Sequence, residues 1–182
     1  MCPSRISYDQ PRRLERALPA VRLAKDADAI LGKASSGSHR ASNPMTGNTW
    51  LDDAGLVALP TGPRVRGRRQ SDSVSPADFA LLLADGPVPA WPHRHIRWPD
   101  FWIPLNRADA LDALREAHRR AHARERVEVA CRGGIGRTGT ALAALAILDG
   151  LPAEQAVSWI RANYHHGAVE TPWQRLWLCT VH

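Results

Sequence analysis

Apolar residues are sparse and irregular through about Asn43 and strongly patterned from there on. Leu14, Leu18 and Val21 stand at helical spacing, but proline, serine and charge surround them, so residues 1–44 read as a weakly structured N-terminal extension with room for one short amphipathic helix. Residues 45–182 read as one folded domain. Trp50-Leu51 and Leu56-Val57-Ala58-Leu59 flank the turn-forming Asp52-Asp53-Ala54-Gly55, which predicts a hairpin. Pro60-Thr61-Gly62-Pro63 then leads into Arg64-Val65-Arg66-Gly67-Arg68-Arg69, expected to be a solvated edge strand, with a phosphate-facing rim as the alternative. Phe79-Ala80-Leu81-Leu82-Leu83-Ala84 is wholly apolar and closed by Asp85-Gly86-Pro87, as a buried central strand would be. Residues 106–125 form the clearest helix, with Asn106 as cap and Ala110, Leu111, Leu114 and Ala117 as the inward stripe. The run Val127-Glu128-Val129-Ala130 follows as a strand. Residues 138–148 are apolar nearly all round, which predicts a buried helix ended by Asp149-Gly150. Two more helices are expected, one from Pro152 with Ala156, Val157 and Ile160 inward, and one from Pro172 with Trp173, Leu176, Trp177 and Leu178. Strands feeding helices in this way give an α/β layer fold.

Composition narrows the picture. With 182 residues and 44% hydrophobic content, the chain can bury one ordinary core. A net charge of +6, carried almost wholly by arginine, favours acidic or phosphorylated partners through its long-range field. Because these arginines are scattered and not interleaved with aromatics, the charge does not point to nucleic acid. Cys2, Cys131 and Cys179 fit neither a disulfide framework nor a zinc site, which implies a reducing compartment. No apolar run approaches the ~20 residues of a membrane span, and the N-terminus has no signal-peptide pattern, so cytoplasm is the expectation. His93 and His95 alternate as on a strand, while His118 and His122 share a helical face; arginines beside both pairs would repel a cation, so all four are expected to be ordinary histidines.

The chemistry concentrates in Val127-Glu128-Val129-Ala130-Cys131-Arg132-Gly133-Gly134-Ile135-Gly136-Arg137-Thr138-Gly139-Thr140. A strand runs through a glycine-rich turn into a helix, so successive backbone N–H groups converge and the helix directs its positive end at the same point. A phosphate would sit there, cradled by the amides of Arg132, Gly133, Gly134, Ile135 and Gly136. Cys131 lies in the same field, which favours the thiolate and makes the sulfur a nucleophile. Arg137 can return over the loop and grip two phosphate oxygens with its planar fork.

Cys131, five intervening residues, and then Arg137-Thr138-Gly139 resemble the signature of the cysteine-dependent protein tyrosine phosphatase superfamily, which includes dual-specificity enzymes. Trp98-Pro99-Asp100 resembles the mobile acid loop of that family, and Ala168-Val169-Glu170-Thr171-Pro172-Trp173-Gln174 its water-positioning segment. The resemblance implies a central, mostly parallel sheet flanked by helices. It also implies hydrolysis of phosphate monoesters through a phosphocysteine, with no cofactor and no metal ion. Asp100 would protonate the leaving oxygen and then activate water, Thr138 would donate its hydroxyl to the sulfur, and Gln174 would align the water. Gln174 fits equally well as the last member of a capping box begun by Thr171.

One departure from the family pattern is Ala130, where a histidine that orients the loop is usual. Phosphotyrosine in proteins is the first substrate expected, ahead of dual specificity and small phosphate esters. Rival readings are a phosphate-binding module without turnover and a sulfurtransferase, which also cradles an anion around cysteine.

Overall fold

The computed structural model describes residues 50–182; the short helix expected around Leu14, and the extension that holds it, lie outside the described residues. Five strands form one sheet: β1 (Leu56–Ala58), β2 (Arg64–Arg69), β3 (Phe79–Leu82), β4 (His93–His95) and β5 (Val127–Cys131). Their order is β1-β2-β5-β3-β4. Only the β1–β2 pair is antiparallel; β2–β5, β5–β3 and β3–β4 run parallel. Four helices complete the domain: α1 (Arg107–His122), α2 (Gly136–Leu148), α3 (Ala156–Asn163) and α4 (Pro172–Leu178). None is long and apolar enough to cross a membrane.

The strand that presents Cys131 is the middle one, buried along its whole length. Its side chains alternate between two faces. Val127, Val129 and Cys131 join the large core with Phe79, Leu81, Leu142 and Leu145. Ala130, on the other face, meets Ala80, Leu82 and Trp91. α2 is apolar all round because the sheet and the other helices enclose it, and its residues from Gly136 to Ala146 are all buried. Asn106 caps α1 by accepting from Asp109 N at 3.1 Å, as its sequence position predicts.

Two elements differ from the sequence reading. The hairpin is shifted by one segment: β1 pairs with β2 across residues 60–63, while Trp50 and Leu51 belong to no strand. Leu59 N bonds Pro63 O at 2.7 Å and Gly62 N bonds Leu59 O at 2.9 Å, so the proline-glycine turn closes the hairpin. The arginine strand is also internal, with Arg66 only 1% and Arg68 7% exposed. Glu128, fully buried on the neighbouring β5, accounts for this. Its carboxylate accepts from Arg66 Nε (3.2 Å) and Nη2 (2.7 Å), from Arg68 Nε (3.0 Å) and Nη2 (2.7 Å), and from Trp91 Nε1 (3.2 Å). Buried guanidiniums persist only when paired and hydrogen-bonded in this way. Arg66 and Arg68 are therefore neither solvated nor a phosphate-facing rim, while Arg64 and Arg69 at the strand ends are exposed as expected.

Candidate active site

Cys131 is the last residue of β5, and α2 begins five residues later. The turn between them passes over the end of β2. Gly134 has φ +70°, and a Cβ there would lie 2.6 Å from Arg69 N, so only glycine fits without displacing backbone. Tyr164 beyond α3 donates its hydroxyl to Gly134 O and pins the turn from outside. Burial pushes the Tyr164 phenol well above the ordinary range, so it stays protonated as a donor. At the centre, Gly134 N donates to Cys131 Sγ at 3.2 Å. Ile135 caps α2 without a side-chain hydrogen bond, and no acidic residue stands in the first turn. The first amides of a buried helix are thus left to an outside acceptor, and the helix dipole adds positive potential at the same place.

Arg137, 6% exposed, is fixed to the backbone through one nitrogen and turns its other edge toward the loop opening. Nη1 donates to Leu83 O (3.2 Å) and Trp98 O (2.9 Å), which fixes the guanidinium plane. Nε has no partner among the described residues, and Nη2 pairs with Asp100 Oδ1 at 3.1 Å. The edge that would take a phosphate in bidentate fashion is the one Asp100 now touches.

Asp100 reaches Arg137 from a loop whose base is buried and whose tip is exposed. Trp98 is buried, donates from Nε1 to Trp102 O at 2.7 Å, and packs edge-on against Trp177 of α4 at 5.0 Å. Leu105 N to Arg97 O at 3.0 Å closes the loop. The Asp100 side chain is 56% exposed, and Phe101 beside it has φ +54°, a conformation costly for a non-glycine residue. A cavity of about 320 Å³ opens between Trp98, Pro99, Asp100, Arg132 and Arg137. Cys131 itself is 2% exposed beneath the loop.

Thr138 is fully buried and its hydroxyl has no hydrogen-bond partner among the described residues; no bond joins it to the sulfur in this structure. Gln174 is buried too, and the capping box is formed: Thr171 Oγ1 accepts from Gln174 N at 3.3 Å, and Gln174 Oε1 accepts from Thr171 N at 3.3 Å. Gln174 Oε1 also accepts from Glu170 N at 2.8 Å, while Nε2 points to Trp102 O at 3.5 Å, linking this segment to the acid loop.

Sequence reasoning assigned no role to Glu170. It lies against Gly136, where a Cβ would collide with its carboxylate. Burial, and then the charge of Asp100, push its carboxyl above the usual range. Val169 before it has φ +60°, held by Arg161 Nη2 donating to its carbonyl at 3.0 Å. A β-branched residue forced into that region beside the loop was the structural signal; in sequence only the proximity of Glu170 to Gln174 hinted at it. Ala130 completes the strand: Leu83 N bonds its carbonyl at 2.8 Å, and its methyl is fully buried in the small cluster under Trp91.

Residues 87–174 match the family model described as protein-tyrosine phosphatase. Among solved structures, the active form of Tk-PTP is 28% identical with a TM-score of 0.52, covering 58% of this chain and 78% of that one. A mutant form of Tk-PTP, with one glycine replaced by alanine, gives 27% identity and a TM-score of 0.52, over 58% of this chain and 76% of that one. Kinase associated phosphatase, with its catalytic cysteine replaced by serine, shares 16% identity and a TM-score of 0.55 over 68% of this chain and 90% of its own, a likeness of fold. No curated protein matches the chain.

Proposed function

Since the chain belongs to the cysteine-dependent protein tyrosine phosphatase superfamily, we propose that it hydrolyses phosphate monoesters through a phosphocysteine, with phosphotyrosine in proteins as the favoured substrate. The observation that carries this reading is the pairing of an uncapped helix N-terminus over Cys131 with the Nε–Nη2 edge of Arg137, whose Nε has no partner among the described residues. In the first step the Cys131 thiolate attacks phosphorus. The bond to the leaving oxygen breaks, and Asp100 gives that oxygen its proton. The loop amides and Arg137 hold the equatorial oxygens as charge builds on them. In the second step water loses a proton to Asp100 and attacks phosphorus, the S–P bond breaks, and the thiolate and acid are restored. Thr138 would donate its orphan hydroxyl to the departing sulfur, and Gln174 would help align the water. No step calls on a metal ion or cofactor. We place the catalytic domain at residues 45–182.

For substrate to enter, Asp100 must leave Nη2 of Arg137, because the phosphate and the carboxylate compete for one edge. The exposed acid-loop tip is suited to that exchange. Leu105 is exposed at the edge of the cavity and gives a phosphotyrosyl ring apolar surface that a small ester would not use.

The test is phosphate release from phosphotyrosyl, phosphoseryl and phosphoinositide substrates by wild type, Cys131→Ser and Asp100→Ala. Release from phosphotyrosyl peptide that is abolished by Cys131→Ser and slowed by Asp100→Ala is expected. Wild type that binds phosphopeptide without ever releasing phosphate would make the chain a binding module, and thiosulfate turnover in its place would make it a sulfurtransferase.

A further inference from the structure

The far end of α2 from the cysteine loop carries a second cluster. His118 and His122, one turn apart on α1, both point at Asp149, the C-cap of α2. His118 Nε2 is 2.9 Å and His122 Nε2 2.7 Å from Asp149 Oδ1, and the two Nε2 atoms are 3.1 Å apart. Thr61, in the turn between β1 and β2, fixes the carboxylate from behind: its N–H donates to Oδ2 at 2.7 Å, and its hydroxyl lies 2.9 Å from Oδ2 and 2.8 Å from Oδ1. Three separate elements therefore converge on one point. The Asp149 side chain is 1% exposed, whereas those of His118 and His122 are 21% and 41% exposed, so the cluster is rooted inside and open outward.

Protons alone do not satisfy this triangle. Each Nε2 carries at most one hydrogen and the carboxylate brings none, so at most two hydrogens serve three short contacts. A carboxylate at a helix C-terminus also sits in the negative end of the dipole, where a cation is favoured. We propose that His118 Nε2, His122 Nε2 and Asp149 Oδ1 form a binding site for a divalent cation of the zinc class. Around a tetrahedral zinc with bonds of ~2.0–2.1 Å, ligand atoms lie about 3.3 Å apart, so the observed triangle needs to expand by only a few tenths of an ångström. Two imidazoles and a carboxylate suit zinc in both charge and softness. Thr61 holds the carboxylate as a second shell does in such sites. A cavity of about 370 Å³, lined by Thr61 and His122, lies beside the cluster and gives water a route to a fourth position.

Arg64 and Arg124 line that cavity and weaken a cation's binding; Arg124, with Arg119 and Arg120, was the reason to read these histidines as ordinary. The carboxylate brought in by α2, invisible from the spacing of the histidines, offsets them. Twelve residues of helix separate Asp149 from Arg137, about 18 Å at 1.5 Å per residue, so the ion would clamp α1, α2 and the β1–β2 turn without touching phosphate chemistry.

The test uses the full chain carrying Cys131→Ser, which removes the catalytic thiol as a competing ligand. Calorimetric titration with Zn²⁺ should give one equivalent and raise the melting temperature. Co²⁺ should give the visible bands of a tetrahedral ion without thiolate charge transfer in the near ultraviolet. Adding His122→Gln, a change at a half-exposed position, should leave the metal-free melting temperature in place, weaken binding at least tenfold and abolish the metal-induced rise; Thr61→Val should weaken it roughly tenfold. Equal affinity with and without His122, a thiolate band, or no binding by the parent protein overturns the proposal.

Discussion

Glu128 brings a carboxylate fully inside the sheet and is matched there by two guanidiniums and an indole N–H. Glu128→Gln keeps the shape but leaves Arg68 buried without its counter-charge and Arg66 with only Asp52 at 3.9 Å. Breaking such a group costs about 3–5 kcal/mol, a large part of a domain's total stability. Urea denaturation should show the midpoint falling accordingly, whereas Asp112→Ala, at the exposed pair with Arg94, should move it far less. Equal losses for the two variants would mean that burial does not set the strength of these pairs. This network was hard to read in sequence because Arg66 and Glu128 are 62 positions apart. A lone glutamate in an otherwise apolar strand was the available sign that its neighbour strand carried the opposite charge. The cysteine loop was legible for the opposite reason, since its chemistry lies within a few consecutive residues. Gly134→Ala tests how tightly that loop is built. With φ +70° and the Arg69 backbone 2.6 Å from the new methyl, the turn has to move off β2. A loss of order 1–3 kcal/mol in stability is expected, with a larger proportional loss in phosphate release than in substrate affinity. An unchanged turnover number would show that the loop tolerates displacement.

At the scale of elements, α4 serves two ends at once. Its capping box orders the helix start, and the same Gln174 side chain ties the Glu170 backbone and the acid loop together. These functions separate under mutation. Thr171→Ala removes the cap and should cost ~1 kcal/mol in thermal or urea unfolding, with little effect on the ratio of burst to steady-state phosphate release. Gln174→Ala should in addition slow breakdown of the phosphocysteine, seen as a larger burst followed by a slower steady rate. If both variants change stability alone, Gln174 is a structural residue and the water is aligned by other groups. The capping role of this segment could be read from Thr171, Pro172 and Gln174, because capping is a matter of local spacing. The hairpin of β1 and β2 was misplaced since Asp52-Asp53-Ala54-Gly55 and Pro60-Thr61-Gly62-Pro63 are equally good turns by composition. What decides is a packing fact, namely that Val57 and Val65 both enter the core beneath α2.

The molecule as a whole places β5 between two parallel neighbours, and the ends of those strands are fastened by charge. Arg126, just before β5, donates its backbone N–H to Asp78 Oδ2 at 2.7 Å, its Nε to Oδ2 at 3.0 Å and its Nη2 to Oδ1 at 2.7 Å, just before β3. Strand order of this kind is not written in any one segment, since parallel neighbours are joined through distant crossovers; only the apolar character of the central strands was visible. The same global arrangement sets how stability depends on pH. The hydrogen bonds from Arg126 hold the Asp78 carboxyl below its usual range. The folded state therefore binds this proton less readily than the unfolded chain does. Its contribution is present above the unfolded carboxylate value of about 3.9 and is lost as pH falls through the lower folded value. Glu170 is shifted the other way, by burial and by Asp100. It favours folding most when protonated, below its ordinary value of 4.5, and that advantage disappears as pH rises through the higher folded value. Urea titrations between about pH 3 and pH 7 should separate them. Asp78→Asn should destabilise at neutral pH and flatten the acid limb, while Glu170→Gln should stabilise at neutral pH with the gain fading toward acid. A Glu170→Gln gain that stays constant across the range would refute a protonation origin and leave simple repacking against Gly136 as its cause.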